Sequence, residues 1–190
     1  RYLAIPYLTP EYRPGGGRFE QVIVWAKMLG EMATRYNMTL LYHNHDFEFE
    51  TVQGEYVLDL LYRLVPSNLL QTEIDTCWVH VAGENPCNYL KKYTNRAPVV
   101  HLKDFVMPGK KPKKLYQLIG IENSEQDDGD IFEFRPLGYG AQDMCALLQA
   151  CGEVGAEWVV VEQDAPSLHQ SSMKCAQMSM ETLQKLIGGK

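Results

Sequence analysis

Five times along the 190 residues a short apolar run leads through a loop into a segment with helical periodicity. The runs lie at 2–8, 38–42, 69–74, 98–102 and 158–161, and the helix-period segments at 19–36, 56–64, 85–93, 142–154 and 171–187. In the first of these segments Val22, Ile23, Ala26, Leu29, Met32 and Ala33 recur at three- and four-residue spacing, which marks one apolar face. Val99 and Val100, and Val159 to Val161, do not alternate with polar residues. That is the pattern of strands covered on both faces of a parallel sheet. Strands alternating with helices predict an α/β domain. Asn85 and Pro86 suit the start of a helix, and Gly155 suits the end of one. The irregular stretch is 105–140, with a basic run at 110–114 and an acidic run at 122–130. Both runs read as solvated loop. The loop of Pro14, Gly15, Gly16 and Gly17 lacks the lysine and hydroxyl residue of a P-loop, so it reads as a plain turn.

Composition removes several function classes. With 18 basic and 24 acidic residues the net charge is -6, which disfavours gripping nucleic acid through its phosphates. No apolar run has the length of a membrane span. The five cysteines, Cys77, Cys87, Cys145, Cys151 and Cys175, lack the spacing of a zinc knuckle or a redox pair. They read as free thiols in a reducing cytoplasm.

The ends of the apolar runs carry the chemistry. One runs into His43, Asn44, His45 and Asp46, and another ends at Asp75. A third runs into His101, Lys103 and Asp104, and the last into Glu162, Gln163 and Asp164. In a parallel sheet all strand C-termini face the same way, so side chains from different strands meet there. Histidine and carboxylates together suit Mn²⁺, Zn²⁺, Co²⁺ or Fe²⁺ better than Ca²⁺. Aspartates at such positions also cap loops and helices, but neither His nor Glu is a favoured cap. His80 and His169 lie away from strand ends and read as surface residues.

These residues resemble a known family. The segments are Tyr42 to Phe49 (His-Asn-His-Asp-Phe-Glu between them), Glu73 to Trp78, Val100 to Phe105, Pro136 to Gly140 and Val160 to Asp164. In that order they are similar to the sugar phosphate isomerase/epimerase proteins, whose fold is a xylose isomerase-like TIM (β/α)8 barrel. The first segment places the chain near the inosose dehydratase-like members. The resemblance implies one divalent ion, Mn²⁺ first and Zn²⁺, Co²⁺ or Fe²⁺ next, held by Asp75, His101 and Glu162. His43 stands where the family has a further Glu, which removes one of the two carboxylates that move protons in the ketose epimerases. Trp78 stands where those epimerases have His.

The expected chemistry is removal of a proton next to a carbonyl in a sugar or sugar phosphate. Glu162 is the ligand expected to act as base, with His45 or Glu48 sharing the proton work. Lys103, two residues beyond His101, projects to the same side of a strand and stabilises developing charge or anchors a phosphate. Trp78 and Phe47 are candidates to stack on a sugar ring, with packing as the plainer role. The primary expectation is an isomerase or epimerase. The alternatives are a lyase or dehydratase of keto-sugars or keto-inositols, an abasic-DNA endonuclease disfavoured by charge, and a non-catalytic binding subunit. The partner is a small carbohydrate, with no nucleic acid or membrane, and a homodimer follows from resemblance. A complete barrel has eight strands and typically about 250 residues. The chain therefore reads as one partial barrel domain over 1–190, holding strands four to eight, with an insertion around 105–140 and two uncovered sheet edges.

Overall fold

The structure, a computed structural model, describes residues 1–13, 15–113, 115 and 131–188. The acidic run, Lys114 and Pro14 lie outside the described residues. In chain order the chain forms β1 (Tyr2–Ile5), α1 (Phe19–Arg35), β2 (Thr39–His43), β3 (Thr51–Val52), β4 (Glu55–Tyr56) and α2 (Val57–Leu64). There follow β5 (Gln71–Asp75), α3 (Thr76–Val81), α4 (Pro86–Lys92), β6 (Val99–Leu102), β7 (Asp104–Val106) and β8 (Glu133–Arg135). The chain continues through α5 (Met144–Val154), β9 (Trp158–Val161) and α6 (Ser172–Gly188). Every expected strand and helix is present, with ends shifted by a few residues. None of these helices is long and apolar enough to cross a membrane.

The sheet has five strands in the order β1-β2-β5-β6-β9. β1 pairs with β2 in parallel, Ile5 opposite Tyr42, and β2 with β5 in parallel, His43 opposite Glu73. Two short antiparallel pairs stand apart from it, β3 with β4 and β7 with β8. The chain divides into two compact units, residues 1–100 with 150–159, and residues 101–149 with 160–190.

In the first unit Leu40, Leu41, Leu58, Leu61, Leu70 and Ile74 are almost wholly buried. Each such side chain contributes about 1.5–3 kcal/mol relative to exposure. The expected two-sided covering holds for β6, and β2 shares it, but it does not hold for every strand. Leu3 on β1, and Trp158 and Val160 on β9, are exposed. Those two strands end the sheet order, so each has a sheet neighbour on one side only.

α1 also differs from its expected face. The residues it buries are Val22, Ala26, Gly30 and Ala33, whereas Leu29 and Met32 are exposed. The small residues let the helix axis approach the segment before β5. A Cβ on Gly30 would lie 2.2 Å from the Leu69 carbonyl oxygen. In the second unit Asp104, fully buried, accepts from the backbone N–H groups of Phe105, Gly138, Gly140 and Gln142 at 2.9–3.1 Å. It wires the Pro136-to-Gly140 segment down and performs the capping role open to it from the sequence.

Gly30→Ala gains about 1 kcal/mol of helix propensity, but it drives a methyl into a backbone oxygen that cannot rotate away. We expect a net loss of about 1–3 kcal/mol, read as a lower urea midpoint. An unchanged or raised midpoint would contradict the close approach.

Candidate metal centre

The two units are built differently at their strand ends. In the first, β2 delivers His43 and β5 delivers Asp75, both buried. The His43 Nε2 lies 3.5 Å from the Asp75 Oδ2. The other carboxylate oxygen, Oδ1, accepts from the N–H groups of Cys77 (2.8 Å) and Trp78 (3.2 Å), capping α3. One oxygen thus starts a helix and the second is turned toward an imidazole. Asn44 joins the two strand ends. Its Oδ1 accepts from the Asp75 N–H at 3.0 Å, and its Nδ2 lies 3.4 Å from the carbonyls of Asp75 and His45.

His45 is buried in aromatic rings. It stacks on Phe47 with centroids 5.5 Å apart and planes at 8°, and meets Tyr7 edge-on at 5.3 Å. Trp78 lies 5.2 Å away and is fully buried. The structure therefore gathers three of the expected residues, His45, Phe47 and Trp78, around one ring cluster. Glu48, also buried, accepts from the Tyr42 hydroxyl at 2.6 Å and from the His45 N–H at 2.8 Å. Its carboxylate holds the backbone of His45, so its geometry is that of a brace. Burial raises its pKa to about 7.

In the second unit His101 Nδ1 lies 2.9 Å from Glu162 Oε2. Lys103, 1% exposed, places its ammonium 3.2 Å from the same oxygen and 2.6 Å from Asp164 Oδ2. The ammonium also lies 4.8 Å from the centre of the Phe134 ring. A buried ammonium needs such counter-charges to remain charged. His101 and Lys103 share Glu162, as their two-residue spacing predicts. Lys103 is thus ion-paired with both Glu162 and Asp164.

In the first unit His43 and Asp75, and in the second His101 and Glu162, each bring an imidazole and a carboxylate together, side-chain types able to hold a metal ion. Two imidazoles and two carboxylates form a donor set for a borderline divalent ion, and no thiolate is among them. Burial pushes the Cys151 thiol up to about 12, where it is inert as a nucleophile. Elsewhere in the first unit a cleft of about 710 Å³ lies among Tyr56, Asp59, Tyr62, Arg63, Lys92 and Arg96. Its charges are matched internally, Arg63 to Glu55 and Lys92 to Asp59, and Arg96 donates to the carbonyls of Tyr62, Val65 and Leu70. None of the candidate ligands lines it.

Two residues near the ring cluster, Tyr7 and Arg13, escaped the sequence reading. A single arginine beside a glycine run has no pattern to distinguish it.

Because the raised pKa of Glu48 means that the native state binds its proton more tightly than the unfolded chain, its contribution has a definite sign. It is fully present below the ordinary glutamate value of 4.5 and is lost as pH rises through about 7. The loss is on the order of 3 kcal/mol. We expect Glu48→Gln to flatten the fall in stability across that window, measured by urea unfolding at a series of pH values in chelator. An unchanged slope would contradict the assignment.

The inosose dehydratase of Clostridium botulinum (strain Alaska E43 / Type E3) is 34% identical over 140 residues, 72% of this chain. The match covers 44% of that relative, so the chain spans less than half of its length. A crystal structure of a sugar phosphate isomerase/epimerase from Parabacteroides distasonis superposes with a TM-score of 0.70 at 17% identity. That match covers 96% of this chain and 57% of the other. A xylose isomerase domain protein from Planctomyces limnophilus gives a TM-score of 0.63 at 17% identity, covering 97% of this chain and 56% of its own. No family model matches the sequence. The five-stranded sheet thus has the fold of part of a xylose isomerase-like TIM barrel, and over 140 residues the sequence is similar to that of an inosose dehydratase.

Proposed function

We propose that the chain carries the reaction face of a divalent-metal-dependent enzyme that removes a proton next to the carbonyl of a keto-sugar or keto-inositol. What supports this reading is that His43, Asp75, His101 and Glu162 each stand at or beside a strand end and are of the side-chain types that hold such an ion. When bound, a divalent ion, Mn²⁺ first among candidates, supplies positive charge beside the carbonyl oxygen and acidifies the adjacent C–H. Glu162 accepts that proton. Lys103, fixed between Glu162 and Asp164, keeps positive charge next to the carboxylate and stabilises charge developing on the substrate. The rings of Phe47 and Trp78 are buried beside His45 and pack around it, the plainer of the two roles open to them.

Two outcomes share this first step. In an isomerase or epimerase the proton returns to carbon. In a dehydratase a hydroxyl leaves the next carbon and departs as water after gaining one proton. Two observations favour the dehydratase. His43 occupies the position of the second carboxylate that two-sided proton transfer uses, and the curated relatives are inosose dehydratases. His45, held through its backbone by Glu48, is placed to give the departing hydroxyl its proton. The isomerase/epimerase reading rests on the Parabacteroides structure. Five reduced thiols suit a reducing compartment such as the cytoplasm.

The test incubates the Mn²⁺-loaded chain in ²H₂O with a keto-inositol and with a set of keto-sugars. Deuterium entry at the carbon next to the carbonyl is expected. Glu162→Gln should lower its rate by about 10²–10⁴-fold, the range for a positioned acid–base group. Product analysis then separates loss of water from rearrangement. No exchange on any of these compounds with metal present would overturn the reading.

A further inference from the structure

We propose that Arg13 anchors an oxygen of the substrate away from the reacting carbon, and that the glycine turn after it exists to hold it in place. The proposal rests on the strand-end face being the substrate face. β1 and β2 run in parallel with Ile5 opposite Tyr42, so the loop after β1 leaves the sheet at the level of His43. Arg13 sits in that loop with its guanidinium fixed on three sides. Its Nε donates to the Leu8 carbonyl at 2.9 Å, and its Nη2 donates to the Tyr7 hydroxyl. The guanidinium carbon lies 3.7 Å from the centre of the Phe47 ring. Phe47 stacks on His45, and Tyr7 meets His45 edge-on. Arg13 is therefore one ring away from a residue that the reaction uses.

A guanidinium stacked on an aromatic face loses little further freedom when it binds. Its planar donors match vicinal hydroxyls, a carboxylate or a phosphate. The shared chemistry is an oxygen acceptor on a polyol.

The turn has the features of a support. The Gly16 N–H donates to the Arg13 carbonyl at 2.9 Å, and the Arg18 N–H donates to the Glu11 carbonyl at 3.2 Å. A Cβ on Gly16 would lie 2.1 Å from the Pro10 carbonyl oxygen and 2.7 Å from that of Glu11. The loop closes this tightly only around glycine. The glycine run thus has a role without a phosphate of its own.

The test measures calorimetric binding of a neutral keto-inositol and of its phosphorylated counterpart to the Mn²⁺-loaded full chain. Arg13→Met keeps the apolar stem on Phe47 and removes the donors. It should weaken binding about 10- to 100-fold, the range for hydrogen bonds to a charged group, with metal content and Tm unchanged. Arg13→Lys keeps charge without the fork and should lose less; it decides the matter if Arg13→Met fails to fold. Gly16→Ala should weaken binding in the same direction while leaving every donor present. A loss on the neutral ligand assigns Arg13 to hydroxyls, and a loss confined to the phosphorylated one assigns it to phosphate. Binding of both ligands to Arg13→Met within twofold of wild type would overturn the proposal, as would a wild type that binds neither. A wild type that binds but shows no deuterium exchange defeats the reading of function and leaves the anchor standing.

Discussion

The carboxylate of Asp75 serves the fold and the site at once. Oδ1 accepts the second and third N–H groups of α3, those of Cys77 and Trp78, which are among the donors that a helix start leaves without intrahelical partners. Replacing an aspartate cap costs typically ~1 kcal/mol. Oδ2 is turned toward the His43 imidazole. The same backbone turn that begins α3 therefore fixes the direction of a candidate ligand oxygen. Asn44, bonded to both the N–H and the carbonyl of Asp75, locks the neighbouring strand end to that turn. A donor held this way does not reorganise when a cation arrives, and preorganised charge is what such a site needs.

The second unit solves the same problem with charge. Lys103 is buried between Glu162 and Asp164, and the shared Glu162 oxygen also meets His101. Removing Lys103 would leave carboxylates close together without their cation, so its loss is expected to disturb Glu162 as well. Asp104, one residue on, spends its carboxylate on four backbone N–H groups. Adjacent residues in one short segment thus divide between chemistry and architecture.

Much of this was legible in the sequence because parallel strands announce themselves twice, by unbroken apolar runs and by the polar residues at their ends. The four-residue donor group needed only that logic and a family resemblance. What stayed hidden depended on contacts between distant positions. α3 follows Asp75 directly with Thr76, Cys77, Trp78 and Val79, residues of poor helix propensity, and it forms because Asp75 caps it and because it is buried. The β7–β8 pair joins Asp104 to Arg135 across the irregular stretch, a separation no local pattern spans. On α1 the larger apolar residues suggested the inner face, but close approach at Gly30 selects the small ones. Glu48 drew notice only as a glutamate in a motif; its hydrogen bonds from the Tyr42 hydroxyl and the His45 N–H could not be read from the sequence.

The central claim is that one divalent ion binds this chain through His43, Asp75, His101 and Glu162. Equilibrium dialysis against Mn²⁺, followed by metal analysis of wild type and of Asp75→Ala and His101→Ala, tests it most directly. The account predicts one ion per chain in the wild type and loss of that ion in both variants. A wild type that takes up no ion, or variants that keep it undiminished, would contradict the account.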